Sequence, residues 1–147
     1  MAESKRQQIV TAIDARLKTI RVVNGYETNA GNNVYEWRSS AMIESELPGL
    51  IYRDTQETEA LSIGYQVHTL TIEIEGYAVG NAAPANLRKL IADVIKAIGV
   101  DSLWSALAED TRSVEETIQV EQEERRIAGT RIKIEVDYRT GIFNPYT

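Results

Sequence analysis

Ile132, Ile134, Val136 and Tyr138 alternate with charged residues in the run Arg131-Ile-Lys-Ile-Glu-Val-Asp-Tyr138. That period of two suits a strand with one face buried and the other wet. An acidic strand from Thr117 precedes it, with a turn read at Ala128-Gly129-Thr130, so Thr117 to Thr140 forms a long C-terminal hairpin. The two strands are unequal. Only Ile118 and Val120 match the apolar row, and Glu121 through Arg126 are polar. Near the turn the second strand therefore needs cover from another strand of its sheet or from a neighbouring subunit. Unpaired ribbon edges are also ready-made surfaces for joining chains.

A second ribbon is expected near the start. Arg21 to Tyr26 and Val34 to Arg38 read as short strands joined by Thr28-Asn-Ala-Gly-Asn-Asn33, whose Gly and Asn residues tolerate positive φ. Glu46-Leu-Pro-Gly49 then punctuates the chain before a short strand at Leu50 to Arg53. From Leu61 to Tyr77 the alternation changes phase: Leu61, Ile63, Tyr65 and Val67 share one parity, and Leu70, Ile72 and Ile74 the other. A β-bulge or a strand break at His68-Thr69 would keep both sets on one core, with Glu73 and Glu75 toward solvent.

Two helices stand out. Ile9, Val10, Ile13, Leu17 and Ile20 recur at helical spacing in Ser4 to Ile20, with Ser4 or Glu3 near the cap. Its basic residues Lys5, Arg6, Arg16, Lys18 and Arg21 are spread around a solvated rim. Pro84 to Ile98 places Leu87, Leu90, Ile91, Val94, Ile95 and Ile98 on one side, with proline in the first turn and Gly99 as terminator. Asp101-Ser-Leu-Trp-Ser-Ala-Leu adds a further helical turn, in which Trp104 and Leu107 cover a sheet edge or the helix end.

With 147 residues, the chain is expected to form a single domain spanning 1–147 and to bury roughly 68–70% of its unfolded surface. It has no cysteine, which excludes disulfides and thiolate metal sites. No apolar signal core opens the chain, and no apolar run approaches the roughly 20 residues that span a bilayer, so a soluble, cytoplasmic product without membrane contact is expected. The net charge of −6 argues against a free-standing nucleic-acid binder, although a channel through which DNA slides favours neutral or negative walls.

The inventory for covalent chemistry is sparse. His68 is the sole histidine, so a two-histidine metal motif is excluded and any Ser-His-Asp arrangement rests on one strand residue. Glu44/Glu46, Glu57/Glu59 and Glu73/Glu75 are candidate acid–base pairs, but spacing by two is also what a solvated sheet face produces. No phosphate-cradling or calcium loop is present. Tyr52, Tyr65, Tyr77 and Tyr138 fall in strand patterns that packing explains better than base stacking. Neither an enzyme nor a cofactor or metal is expected.

In order, the N-terminal helix, Gly25-Tyr26 with Thr28, Gly31 and Val34, Glu46-Leu47-Pro48, the helix Leu87 to Ile98 and the closing Ile134-Glu-Val-Asp-Tyr-Arg-Thr-Gly141 resemble the tail terminator, or tail completion, proteins of tailed bacteriophages. The resemblance spans nearly the whole chain. It implies an α+β subunit, with two main helices on one face of a mostly antiparallel sheet, that forms a hexameric ring capping the tail tube in the virion. Assembly would take place in the host cytoplasm, with tail-tube and head-tail connector proteins as partners, and DNA would pass the lumen without specific binding. A closed ring uses heterologous interfaces, two different patches per subunit. On this reading the loop from Asn24 to Asn33 (Asn24, Tyr26, Asn29, Asn32) and the segment from Glu115 to Arg126 (Glu121, Glu123, Glu124, Arg125, Arg126) distinguish the two ring faces, and the apolar row Ile132, Ile134 and Tyr138 supplies an assembly patch. The alternatives are a head completion, connector or other minor tail protein and, from a different class, a small-ligand binding module.

Overall fold

The computed structural model describes residues 2–80, 82–122 and 127–147, with side chains left aside for 120–122. Ser4 caps the first helix, its hydroxyl accepting from the Gln7 amide at 3.1 Å. This helix, α1 (Lys5–Leu17), buries Ile9, Val10, Ile13 and Leu17. The chain then forms strands β1 (Val34–Glu36), β2 (Gly49–Ser62) and β3 (Tyr65–Val79), helix α2 (Ala83–Val100), and strands β4 (Asp110–Gln122) and β5 (Ile127–Thr140). The five strands make one sheet in the order β1-β2-β3-β5-β4, antiparallel except for the β1–β2 pair. The fold is α+β, as the sequence predicts.

Both helices lie on one face of the sheet. Leu87, Leu90 and Val94 of α2 and Ile9, Ile13 and Leu17 of α1 share a core with Leu50, Leu70, Ile72, Ile74, Ile132, Ile134 and Val136. Helix and sheet approach closely at Gly76, where an added Cβ would sit 2.6 Å from Leu90 Cδ2. The opposite face carries charge paired across strands. Arg53 Nη1 meets Glu75 at 2.8 Å, Lys133 lies between Glu73 and Glu115, and Arg112 meets Glu135 at 2.8 Å and Asp137 at 2.6 Å. Glu73 and Glu75 thus point away from the core, as expected, but into this ladder of partners.

The predicted N-terminal hairpin is replaced by other structure. Val22–Asn24 and Ala30–Asn32 are short 3-10 turns, and Val34–Glu36 pairs in parallel with Leu50, Ile51 and Tyr52. The reason lies in competing partners for the backbone. Asp93 of α2 takes the amides of Glu27 and Thr28, the Gly31 amide donates to the Ile20 carbonyl at 2.7 Å, and Asn29 Oδ1 accepts from the Val22 amide. These bonds satisfy the segment without a ladder.

The change of phase is also explained differently. β3 keeps a single parity, burying Gln66, His68, Leu70, Ile72, Ile74, Gly76 and Ala78. The break is the Ile63-Gly64 turn between strands, and the bulge is on β2, where Thr55 stands unpaired between Asp54 and Gln56. Leu61 and Ile63 consequently leave the expected core, at 71% and 96% exposure. Ala128-Gly129-Thr130, read as a turn, lies inside β5 opposite Ala78, Tyr77 and Gly76. Helix α2 continues through Gly99 to Val100. Beyond it, Trp104 enters the core at 1% exposure, donates to Thr111 Oγ1 and carries the Arg16 guanidinium 4.7 Å from its ring.

Candidate assembly interface

The predicted patch Ile132, Ile134 and Tyr138 is closed off inside the chain. Ile132 and Ile134 are fully buried and Tyr138 is 3% exposed, because β3 flanks β5 and α2 covers the row. The cover that β4 cannot provide therefore comes from within the subunit, and these three residues are not a surface between chains. Tyr26 is likewise buried, with Lys96 Nζ 5.0 Å from its ring.

Asn24, Asn29 and Asn32 do lie on the surface. Asn24 Nδ2 donates to the Thr19 carbonyl and Asn29 caps the Val22 amide, so both hold their own loop in shape. This loop sits beside Pro48, Ala78, Val79 and the start of α2. Val79 pairs with Ile127, and Ile127 with Gln122, which brings the end of β4 and the N-terminal loop to the same end of the sheet. Glu123, Glu124, Arg125 and Arg126 lie outside the described residues, and for Glu121 only the backbone, in β4, is described.

Among the described residues two strand edges have no partner strand; the edge of the C-terminal hairpin was anticipated from the sequence, that of β2 was not. β1 covers only Leu50–Tyr52, so β2 from Thr55 to Ser62 forms one side of the sheet. β4 forms the other side along 13 residues, with Val114 and Ile118 at 49% and 46% exposure. The edges face opposite directions because β2 and β4 flank the β3–β5 pair. At the β2–β3 turn, exposed Leu61 and Ile63 lie at the same end as Phe143, whose amide donates to Gln66 Oε1 at 3.0 Å. Exposure of single apolar residues was invisible to pattern alone, since Leu61 and Ile63 read as one parity of a core strand.

Among the candidate acid–base pairs, Glu46 is tied down by Arg38 at 2.5 and 2.8 Å, the Ile43 amide and Tyr35 Oη. Arg38 foremost, followed by the Ile43 amide and Tyr35, holds the carboxyl down at about 2. That is a structural clamp around the Ser40–Glu46 loop. Glu57 and Glu59 behave otherwise. The bulge at Thr55 turns both toward the helix face, opposite Leu70 and His68 respectively. Glu57 Oε2 and Glu59 Oε1 each lie 3.4 Å from His68 Nδ1, Tyr138 Oη donates to Glu57 Oε1, and His68 Nε2 is 2.7 Å from Thr140 Oγ1. Burial and the Glu57 acceptor push the Tyr138 hydroxyl far above its ordinary value, so it stays a donor.

Among the described residues, no helix is long and apolar enough to cross a membrane. Neither the models of known protein families nor the curated proteins give a match to this chain.

Proposed function

We propose that this chain is the repeating subunit of a ring that caps the head-proximal end of a bacteriophage tail tube, ending tube polymerisation and offering the head a docking surface. The observation that carries the reading is the pair of free edges on opposite sides of one sheet, β2 from Thr55 to Ser62 and β4 from Asp110 to Gln122. Two unlike edges on one subunit are what a head-to-tail contact requires, and such contacts close into rings when the rotation permits. A long uncovered edge invites pairing with another chain. The order of sequence blocks, which resembles that of tail terminators, suggests the biological setting, and the acidic balance of −6 suits a lumen that DNA traverses without sticking.

In this reading β4 of one subunit meets β2 of the next, while the ends of the sheet face along the tail axis. The exposed Leu61, Ile63 and Phe143 supply apolar contact at one axial end. At the other, the N-terminal loop, with exposed Asn24, Asn29 and Asn32, presents a different surface, so the last tube ring and an incoming tube subunit meet unlike faces.

The test is to eliminate the protein from the phage or tail-like particle that encodes it and image the lysate by negative-stain electron microscopy. Overlong, headless tubes are expected. Normal-length tails beside filled heads would replace termination with a head-completion role, and intact infectious particles would overturn the virion reading.

A further inference from the structure

We propose that Glu57, Glu59 and His68 form a binding site for a borderline divalent cation, best matched by Zn2+. Among the described residues these three bring one ligand atom each to within 4.8 Å of one another. The imidazole supplies the decisive observation. His68 is 6% exposed, yet its buried Nδ1 makes no hydrogen bond, although it points between two carboxylate oxygens at 3.4 Å each. A buried polar nitrogen without a partner carries a desolvation cost that natural structures seldom leave unmet. A cation placed between the three atoms meets it and relieves the repulsion among two carboxylates and a nitrogen lone pair.

Two of the three spacings match coordination, and the two carboxylate oxygens lie within 4.8 Å of each other. Zinc bonds to nitrogen and carboxylate oxygen of about 2.0–2.2 Å set adjacent ligands of a tetrahedron roughly 3.3–3.5 Å apart. Both Nδ1-to-oxygen distances, 3.4 Å, fall in that range. Three protein ligands leave a fourth position for water, and Glu59, with 49% of its side chain exposed, places the site within reach of solvent.

The surroundings hold each ligand in place. His68 Nε2 lies 2.7 Å from Thr140 Oγ1, and with the metal bound Nε2 would donate to that hydroxyl, leaving the Nδ1 lone pair toward the carboxylates. Tyr138 stacks on the imidazole with ring centroids 4.5 Å apart and donates its hydroxyl to Glu57 Oε1, which leaves Oε2 as the carboxylate oxygen toward Nδ1. Outer partners of this kind fix ring orientation and raise ligand basicity. Among the described residues, Arg6 is the cation paired with Glu57, 3.9 Å from Oε2, but its closer partner is Asp54 at 2.8 Å. One nitrogen with two carboxylates favours zinc, manganese or cobalt over magnesium, which prefers six oxygen ligands.

The test uses the tag-free full chain, stripped with chelator and titrated with ZnCl2 by calorimetry, and with Co2+ by visible absorption. One equivalent per chain is expected, with Kd on the order of one micromolar or tighter, and a cobalt spectrum of low-coordination type. Excess Mg2+ leaves Zn2+ bound. E59Q weakens binding by at least about tenfold, and T140V by roughly 10–100-fold as an outer-shell change. H68Q abolishes it. Because His68 is the sole histidine, its ring resonances report zinc directly in the unmutated protein, independent of any folding defect in a variant. Absence of stoichiometric binding, unmoved His68 resonances, or E59Q and H68Q proteins that bind as the parent does would each overturn the site.

Discussion

The carboxylate of Asp93, in the middle of α2, accepts the amide of Thr28 at 2.8 Å across 65 residues of chain. The same carboxylate takes the Thr28 hydroxyl at 2.7 Å and the Glu27 amide at 3.0 Å, and Asp93 is 2% exposed. One side chain thereby sets the conformation of a whole loop. Replacing Asp93 with Ala leaves two amides and a hydroxyl without their charged acceptor. A loss of about 3 kcal/mol in denaturant unfolding is expected, together with faster amide exchange at Glu27 and Thr28. D93N, which turns a donor toward those amides, falls between the parent and D93A.

Gly31 and Gly76 respond unequally to an added methyl. At Gly31 the new Cβ would lie 2.6–2.8 Å from backbone atoms of Lys18 and Ile20, which cannot yield without moving the end of α1. At Gly76 the closest neighbour, Leu90 Cδ2 at 2.6 Å, is the end of a side chain that can change rotamer. G31A is expected to cost more than about 3 kcal/mol and G76A about 1–2 kcal/mol. Thermal unfolding of the two variants checks the order.

Acid affects the Arg38–Glu46 clamp in a defined window. The folded carboxyl sits at about 2, below its ordinary value of 4.5, chiefly through Arg38. A depressed acid stabilises the fold fully above its unfolded value and loses that contribution as pH falls toward the folded one. Stability of the Ser40–Glu46 loop is expected to decline between roughly pH 4.5 and pH 2. E46Q flattens that part of the pH profile, read as the midpoint of urea unfolding against pH.

Ile118 and Val114 separate folding from assembly. Both lie on the outer strand β4, roughly half exposed in the single chain. V114K and I118K are expected to shift subunit stability by no more than about 0.5 kcal/mol. If β4 joins the β2 edge of a neighbour, each nonetheless prevents ring formation, seen as subunits that no longer complement the eliminated protein in tail assembly. Complementation at the parental level would remove β4 from the interface.

Much of the fold was legible from local chemistry. Ser4 and the 3.6-residue spacing of Ile9, Ile13 and Leu17 define α1, Pro84 and the Leu87–Ile98 stripe define α2, and the alternation around Ile132 defines β5. The N-terminal hairpin was misread because Gly31 and its asparagines are suited to any tight turn. What chose among turns was Asp93, distant in sequence and supplying charge to the loop amides.

The sequence by itself determined the class of elements and their apolar faces, since periodicity is a local property of side-chain direction. Sheet order, free edges and the residues brought to one place were decided only by tertiary pairing. Glu57/Glu59 shows the reason most directly. Spacing by two gave both residues one face but did not say which. The extra residue at Thr55 inverted that face, setting two carboxylates toward the buried nitrogen of His68. A parity change of this kind depends on the register of the neighbouring strand, which no window of the chain contains.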